Sequence, residues 1–332
     1  MTRSGLAAPE PDDPDSGQRR SLDHVPSPRP VRTDRKGNRP SSGALPRRSD
    51  LLPSCPKQKG GGFSSSLPAM KSDLFEAIKQ KAQALSGQVG LVIGSPSNLL
   101  SCGADVSFPA ASVIKLTLLW ELFRQAEKGI LCLADRVRLE EEDRVGGFGV
   151  LRDLRPGLEL PLEDLATLMI TLSDNVATNL LIDRLTLQSV NDEIARMGLS
   201  RTRLARKMMD LRAKERGLEN VTTPGDMASL LAAILNGPGL SPQSRQRMMS
   251  IMERQQCNNK LPRHMSGGRA FAHKTGDLPG TEHDVGILPS REGTLIVVVM
   301  TADLGDNEEG IRFHNEVGLL LDRAYPTFQP QR

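Results

Sequence analysis

Apolar positions change their period along this chain, and the changes mark out its elements. Residues 72–87, SDLFEAIKQKAQALSG, open on a Ser/Asp cap, carry Leu74, Ile78 and Ala82 at helical spacing and stop at Gly87. QVGLVIGS (88–95) reads as a strand, followed by a less regular one through Leu99 to Ala104. The long middle is helical in period: 112–128, 162–170, 174–185, 188–197, 224–235 and 242–254. Gly129, Pro156, Gly198 and the run NGPG at 236–239 punctuate it. Alternating or β-branched character returns in RAFAHKTG (269–276), HDVGILP (283–289) and TLIVVVMTA (294–302), joined by short turns as in an antiparallel meander. A last helix spans 307–324.

The simplest packing of this order joins the early and late strands into one antiparallel five-stranded sheet. The terminal helices flank it, and the middle becomes an all-helical lobe, an α+β architecture. The sheet lobe then takes residues 70–108 and 265–328, the helical lobe 109–264, and 329–332 form a short tail. There is no internal repeat. The junction of two lobes is where a ligand is expected.

One helix conflicts with its own surroundings. In FPAASVIKLTLLWELF (108–123), Val113, Ile114, Leu116, Leu118, Leu119, Leu122 and Phe123 wrap most of the way around, so the helix is expected to be buried. Lys115 lies among them. A buried lysine needs partners, and burial lowers its pKa. Ser112 is three residues away and on the same face. A serine hydroxyl beside an easily deprotonated amine is a nucleophile with its base; a capping serine and a lysine reaching for water would produce the same local pattern.

Composition narrows the field. Residues 1–69 hold 11 of the 23 prolines and are rich in Ser, Arg and Gly, so they read as a disordered tail that cannot bury enough apolar surface to fold. Met70, where the folded pattern begins, is a candidate alternative start. The tail carries 12 Lys+Arg against 7 Asp+Glu and the remainder 31 against 33, so the basic balance belongs to the tail and nucleic acid is not an expected partner. Cys55, Cys102, Cys132 and Cys257 are scattered without metal-ligand or disulfide spacing, which suits a reducing compartment. No apolar run approaches a membrane span, and no secretory signal is visible at the N-terminus. A cytoplasmic monomer acting on a small molecule, with no metal and no cofactor, is the expectation.

Two further stretches change the reading of the first. TLSDNVATNLLID (171–183) places Ser173, Asp174 and Asn175 before an apolar helix, where each is also a good cap. AHKTGDLPGTEHD (272–284) places Lys274, Thr275 and Gly276 at a strand end. S-x-x-K, S-D-N and K-T-G in that order are the signature of penicillin-recognising serine enzymes. The intervals, 61 residues from Ser112 to Ser173 and 101 from Ser173 to Lys274, resemble those of the class A β-lactamase family, and the resemblance covers roughly residues 72–325. VGGFGVL (145–151) and TTPGDMASLLAAIL (222–235) are similar to segments of that family too.

The resemblance implies a β-lactamase/transpeptidase-like fold and a set of roles. Ser112 is the nucleophile, Lys115 takes its proton, and Ser173 relays a proton to the leaving nitrogen. The N–H groups of Ser112 and Asp277 form the oxyanion hole. Asn175 holds the substrate's amide side chain. Lys274, Thr275 and Gly276 belong to the substrate site, with Lys274 attracting and Thr275 hydrogen-bonding a carboxylate.

The pattern breaks in RLARKMMDLRAKERGLENVTTP (203–224). Arg206 matches the opening of the family's loop, and Thr222 and Pro224 its close, but the glutamate that activates the deacylating water falls on Met208. The helpful asparagine falls on Arg212, and the aspartate that pairs with the arginine on Asn220. Asp210 and Glu215 are carboxylates near in sequence. Asp277 stands where a small residue is usual and would repel an anionic substrate, and His283 and Asp284 follow on the next strand. The expected function is a serine hydrolase of the class A type, with β-lactam hydrolysis and slow deacylation. The alternatives are a D,D-peptidase-like or esterase activity, or a penicillin- or peptidoglycan-binding module that does not turn over.

Removing residues 1–69 is expected to leave the melting temperature and any hydrolase activity unchanged, because a disordered tail contributes no core contacts. Thermal melts and rate measurements on full-length and shortened chains check this; a clear drop in melting temperature contradicts it.

Overall fold

The computed structural model describes residues 71–266 and 270–326. The expected disordered tail 1–69 with its Cys55, and the C-terminal residues 329–332, lie outside the described residues. The chain enters through α1 (Ser72–Ala82), β1 (Gln88–Ser95) and β2 (Asn98–Cys102). A short β3 (Phe108–Pro109) leads to α2 (Lys115–Glu127), then β4 (Arg136–Arg138), β5 (Glu159–Pro161), α3 (Leu162–Thr171), α4 (Asn175–Leu185) and α5 (Leu187–Arg196). Next come α6 (Leu211–Glu215), β6 (Val221–Thr222), α7 (Pro224–Asn236) and α8 (Pro242–Glu253). The sheet is completed by β7 (Ala272–Leu278), β8 (Thr281–Ser290) and β9 (Gly293–Ala302), and α9 (Asn307–Ala324) closes the fold.

The five-stranded sheet runs β2-β1-β9-β8-β7, antiparallel throughout, as the pattern of the early and late segments predicts. Its central strands are buried on both faces, and the strand period sorts their side chains. Leu295, Val297 and Val299 of β9 join Leu91 and Ile93 of β1 against Phe75, Ile78, Phe313, Val317 and Leu321 of the terminal helices. The alternate residues Ile296, Val298 and Met300 join Val92, Val285 and Ile287 in a cluster continuous with the helical lobe, through Met227 and Leu231 of α7 and Leu116 and Leu119 of α2. The lobes thus share a core along one face of the sheet.

Helix α2 is buried nearly all round, as its pattern requires, and its polar residues are matched rather than exposed. Arg124 donates to Glu121 at 2.5 and 2.6 Å, and Trp120 Nε1 donates to Glu193 at 2.6 Å. Its first turn is a 3₁₀ turn over Ala111–Ile114, so the helix expected from 112 becomes α only at Lys115. In a 3₁₀ turn residues i and i+3 eclipse, which stacks Ser112 under Lys115.

Other boundaries differ for tertiary reasons. Helix α1 stops at Ala82 because Ser86 is drawn onto α9, its hydroxyl donating to Glu309 at 2.8 Å. The paired ladder extends β7 to Leu278 and starts β8 at Thr281. The two-stranded pairings β3–β6 and β4–β5 and the one-turn α6 were not expected; segments of two to five residues are too short to carry a period.

Gly318 lies where α9 crosses the turn at Leu261, and a Cβ there would overlap the Leu261 carbonyl. Gly318→Ala is therefore expected to destabilise the fold by about 1–3 kcal/mol, the usual range for overpacking. At this chain length each kcal/mol lowers the melting temperature by about 2–4 °C. A thermal melt within 1 °C or so of the parent would show that α9 gives way.

Candidate active site

The nucleophile candidate sits on a turn pinned from two sides. Ala110 N–H donates to Asn220 O at 2.7 Å, and the Pro109 carbonyl accepts from His283 Nε2 at 2.8 Å. Ala111 carries a left-handed φ of 45°, uncommon outside glycine and a recurrent feature of functional turns. Ser112, half-buried, lines a pocket of about 360 Å³ with Ala111 and Asn175. Gly147 and Phe148 form a second side, Met208, Met209 and Leu211 a third with Arg206, Lys214, Glu219 and Asn220, and Asp277, Leu278 and Pro279 the fourth.

Lys115 is fully buried. Among the described residues its amine makes three hydrogen bonds and none to Ser112: to Ser173 O at 2.7 Å, Ser173 Oγ at 3.1 Å and Asn175 Oδ1 at 2.9 Å. Burial, and next the charge of Lys274, hold its pKa well below the ordinary lysine value. S-x-x-K and S-D-N thus meet through the lysine.

The S-D-N turn is shaped to present these acceptors. Ser173 adopts a φ of 55°, again left-handed, and both its carbonyl and its hydroxyl reach Lys115. Asp174 caps α4 by accepting from Ala177 N at 2.9 Å. Its other oxygen accepts from the N–H groups of Val150 and Leu151, at 2.7 and 3.0 Å. Asn175 donates from Nδ2 to Gly146 O at 3.1 Å, so both ends of its amide are engaged within the protein. The 145–151 loop is fastened to S-D-N this way. Gly147 and Gly149 stand at φ values of 82° and 117°, where a Cβ would strike the Asn175 amide and the Asp174 carboxylate.

K-T-G lies on β7 beside the nucleophile turn. Lys274 is fully buried, its pKa is pushed down to about 8 chiefly by burial, and Nζ donates to Thr275 O at 2.8 Å. Thr275 Oγ1 is buried without a hydrogen-bond partner among the described residues. Asp277 is ion-paired rather than bare. Its Oδ1 pairs at 2.9 Å with Lys260, which is fully buried and pairs also with Glu282 at 2.6 Å. Lys260 donates further to Gly276 O at 2.9 Å and His283 O at 3.1 Å. Nothing in RQQCNNKLPRHM (254–265) singles out this lysine; its partners come from two strands, β7 and β8, 16 or more residues later.

The 203–224 loop makes its own pairings. Arg206 pairs at 2.7 Å with Glu219, not with position 220, and Asn220 instead accepts from the N–H groups of Ala205 and Arg206. Asp210 caps α6 by accepting from Ala213 N at 2.9 Å, and Glu215 is exposed; neither lines the pocket. Arg212 is exposed and also off the pocket. Met208 is on the pocket wall as expected, its backbone held by both ends of the Asn179 amide at 2.8 and 3.1 Å. Met209, at a φ of 62°, extends that wall towards Gly146 and Gly147.

His283 is a tether. Nε2–H donates to Pro109 O, Nδ1 accepts from Thr301 N at 3.3 Å, and burial pushes its pKa down to about 4. Asp284 instead holds His273, at 2.7 Å, next to Lys274. Among the described residues no group of three or more His, Cys, Asp or Glu is placed to hold a metal ion, and no helix is long and apolar enough to cross a membrane.

The chain is similar to known proteins. A family model described as "Beta-lactamase enzyme family" matches residues 73–325. The crystal structure of a beta-lactamase from Sphaerobacter thermophilus is 35% identical, with a TM-score of 0.70 over 78% of this chain and 99% of that one. A mutant of PBP-A, in an acyl-enzyme complex with penicillin G, is 30% identical, with a TM-score of 0.69 over 78% of this chain and 98% of that one. An ancestral class A beta-lactamase is 25% identical, with a TM-score of 0.70 over 76% of this chain and all of that one.

The neutral tether generates a pH dependence. The folded pKa of His283 is below its unfolded value of about 6.5, so between pH 6.5 and 4 the unfolded chain binds more protons and stability falls as pH falls. The contribution is about 1 kcal/mol per pH unit in that window and vanishes above it. Urea midpoints at pH 7.5 and 5.5 measure it, and His283→Asn is expected to flatten the slope. An unchanged slope in that variant would show that His283 is not the group responsible.

Proposed function

The chain belongs to the beta-lactamase enzyme family, and from that membership we propose that it is a serine hydrolase of the class A type that acylates Ser112 and releases the acyl group slowly. The observation that carries this reading is the buried amine of Lys115, depressed in pKa and bonded to Ser173 and Asn175 beside a serine on the pocket wall. An amine that is easily deprotonated is suited to accept the Ser112 proton as Oγ attacks the substrate carbonyl. The Lys115–Ser173 hydrogen bond supplies a path for that proton to the leaving nitrogen as the C–N bond breaks. The backbone N–H groups of Ser112 and Asp277, both on the pocket, are the proposed oxyanion donors. Lys274 adds positive charge and keeps the Lys115 amine acidic.

The acyl group would lie along Phe148, Met208, Met209 and Leu211, an apolar wall suited to an apolar acyl side chain. That wall is also why deacylation should be slow. A thioether cannot take a proton from water, Glu219 on the same pocket is tied to Arg206 at 2.7 Å, and a positioned general base is worth roughly 10²–10⁴ in rate. The same observation favours a second reading, in which the protein stops at the acyl-enzyme and serves as a penicillin- or peptidoglycan-binding module.

Intact mass after incubation with a penicillin or a fluorophosphonate tests the proposal. Ser112→Ala is expected to abolish the adduct; labelling that persists at another serine contradicts the assignment. Met208→Glu is expected to shorten adduct lifetime by up to about 10²–10⁴ while acylation changes little. Arg212 is exposed and does not line the pocket, and the cations that do, Arg206 and Lys214, already pair with Glu219. An unchanged lifetime would mean that position 208 does not face the acyl bond.

A further inference from the structure

The K-T-G end of the pocket departs from a carboxylate-binding site in its charges. The groups that the sequence assigns to a substrate carboxylate are withdrawn. Lys274 is fully buried with its amine on the Thr275 carbonyl, and neither it nor Thr275 is part of the pocket wall. What the wall presents there is Asp277, whose side chain is 28% exposed, followed by Leu278 and Pro279.

Lys260 does not convert Asp277 into a neutral surface. It meets two carboxylates, Asp277 and Glu282, and two carbonyls, those of Gly276 and His283. Three ammonium protons are shared among these four acceptors, so none is left for a substrate. One cation between two carboxylates holds Asp277 in place and leaves negative charge at the wall. Across the pocket Phe148, Met209 and Leu211 are apolar, and the charges beside them, Arg206 and Lys214, pair with Glu219 at 2.7 and 3.9 Å.

We propose that this pocket selects against a carboxylate on the leaving-group side of the scissile bond and prefers a cationic group there, with Asp277 as the specificity-determining residue. The substrate class is then an ester or amide with an apolar acyl group and an ammonium-bearing leaving group. This rests on the acyl-serine reading of Ser112. A like-charge contact at a desolvated site is strongly disfavoured and an opposite-charge one favoured, so the preference is expected to exceed about tenfold and to shrink as salt rises.

Three thioesters with one phenylacetyl group and different leaving thiols test it: mercaptoacetate (anionic), mercaptoacetamide (neutral) and thiocholine (cationic). The pre-steady-state release of thiol, with the phenylacetyl adduct confirmed by mass, reads acylation even where turnover is slow. The expected order of rates is thiocholine, then mercaptoacetamide, then mercaptoacetate. Asp277→Asn is expected to reduce the thiocholine-to-mercaptoacetate ratio by about tenfold; Asp277→Ser serves if that variant does not fold. Equal rates, or a faster mercaptoacetate ester, would overturn the proposal, and so would a ratio that the variants leave unchanged. Labelling by an uncharged fluorophosphonate separates the two levels. If Ser112 is labelled and none of the esters reacts, the selectivity proposal fails alone. If Ser112 is not labelled either, the acyl-serine reading fails beneath it.

Discussion

The site depends on one buried amine. Lys115 is held where no water reaches, so its protons must find acceptors within the protein or be given up. The acceptors come from the S-D-N turn, and supplying them demands a left-handed Ser173, an Asn175 whose amide is engaged at both ends, and an Asp174 that ties the neighbouring loop by two N–H groups. That loop needs glycine at 147 and 149 because its backbone comes so close to the same residues. Helix α2, the S-D-N turn and the 145–151 loop are therefore one hydrogen-bonded unit with a lysine at its centre.

Two other lysines, Lys260 and Lys274, are equally buried, and the three differ in what surrounds them. Lys115 has only neutral acceptors within hydrogen-bond distance, which leaves its pKa depressed. Lys274 is bonded to a carbonyl and is lowered less, to about 8, with Cys257 and Asp277 opposing the effect of burial. Lys260 has two carboxylates and acts as a charged tie between adjacent strands. Burial desolvates all three, and the identity of the partner decides whether the group is suited to exchange a proton or to hold a place.

The 203–224 loop is held by its own pairings. Arg206 still finds a carboxylate, Asn220 still bonds the opening of the loop, and Asn179 still clamps the backbone of residue 208. The side chain presented there is a thioether, followed by a second methionine in a left-handed conformation. At position 208 the wall presents a thioether, and the carboxylate on the same pocket, Glu219, is paired with Arg206.

The order of elements, the five-stranded sheet and the three motifs were legible in the sequence, because each is written in contiguous residues. A period of two or 3.6 and a three-residue motif need no knowledge of the rest of the chain. So was the conflict at Lys115, since an apolar helix with a lysine inside it can be read without coordinates. What tertiary structure alone decided was which charges meet. Lys260 with Asp277 and Glu282, Arg206 with Glu219, and His283 with Pro109 join residues 13 to 174 positions apart. No local pattern encodes such pairs: an ion pair or tether is set by where two backbones are brought together, and a single charged letter in a loop reads the same whether it is solvated or buried. Asp277, a repulsive charge in the sequence, is a held one in the fold for that reason.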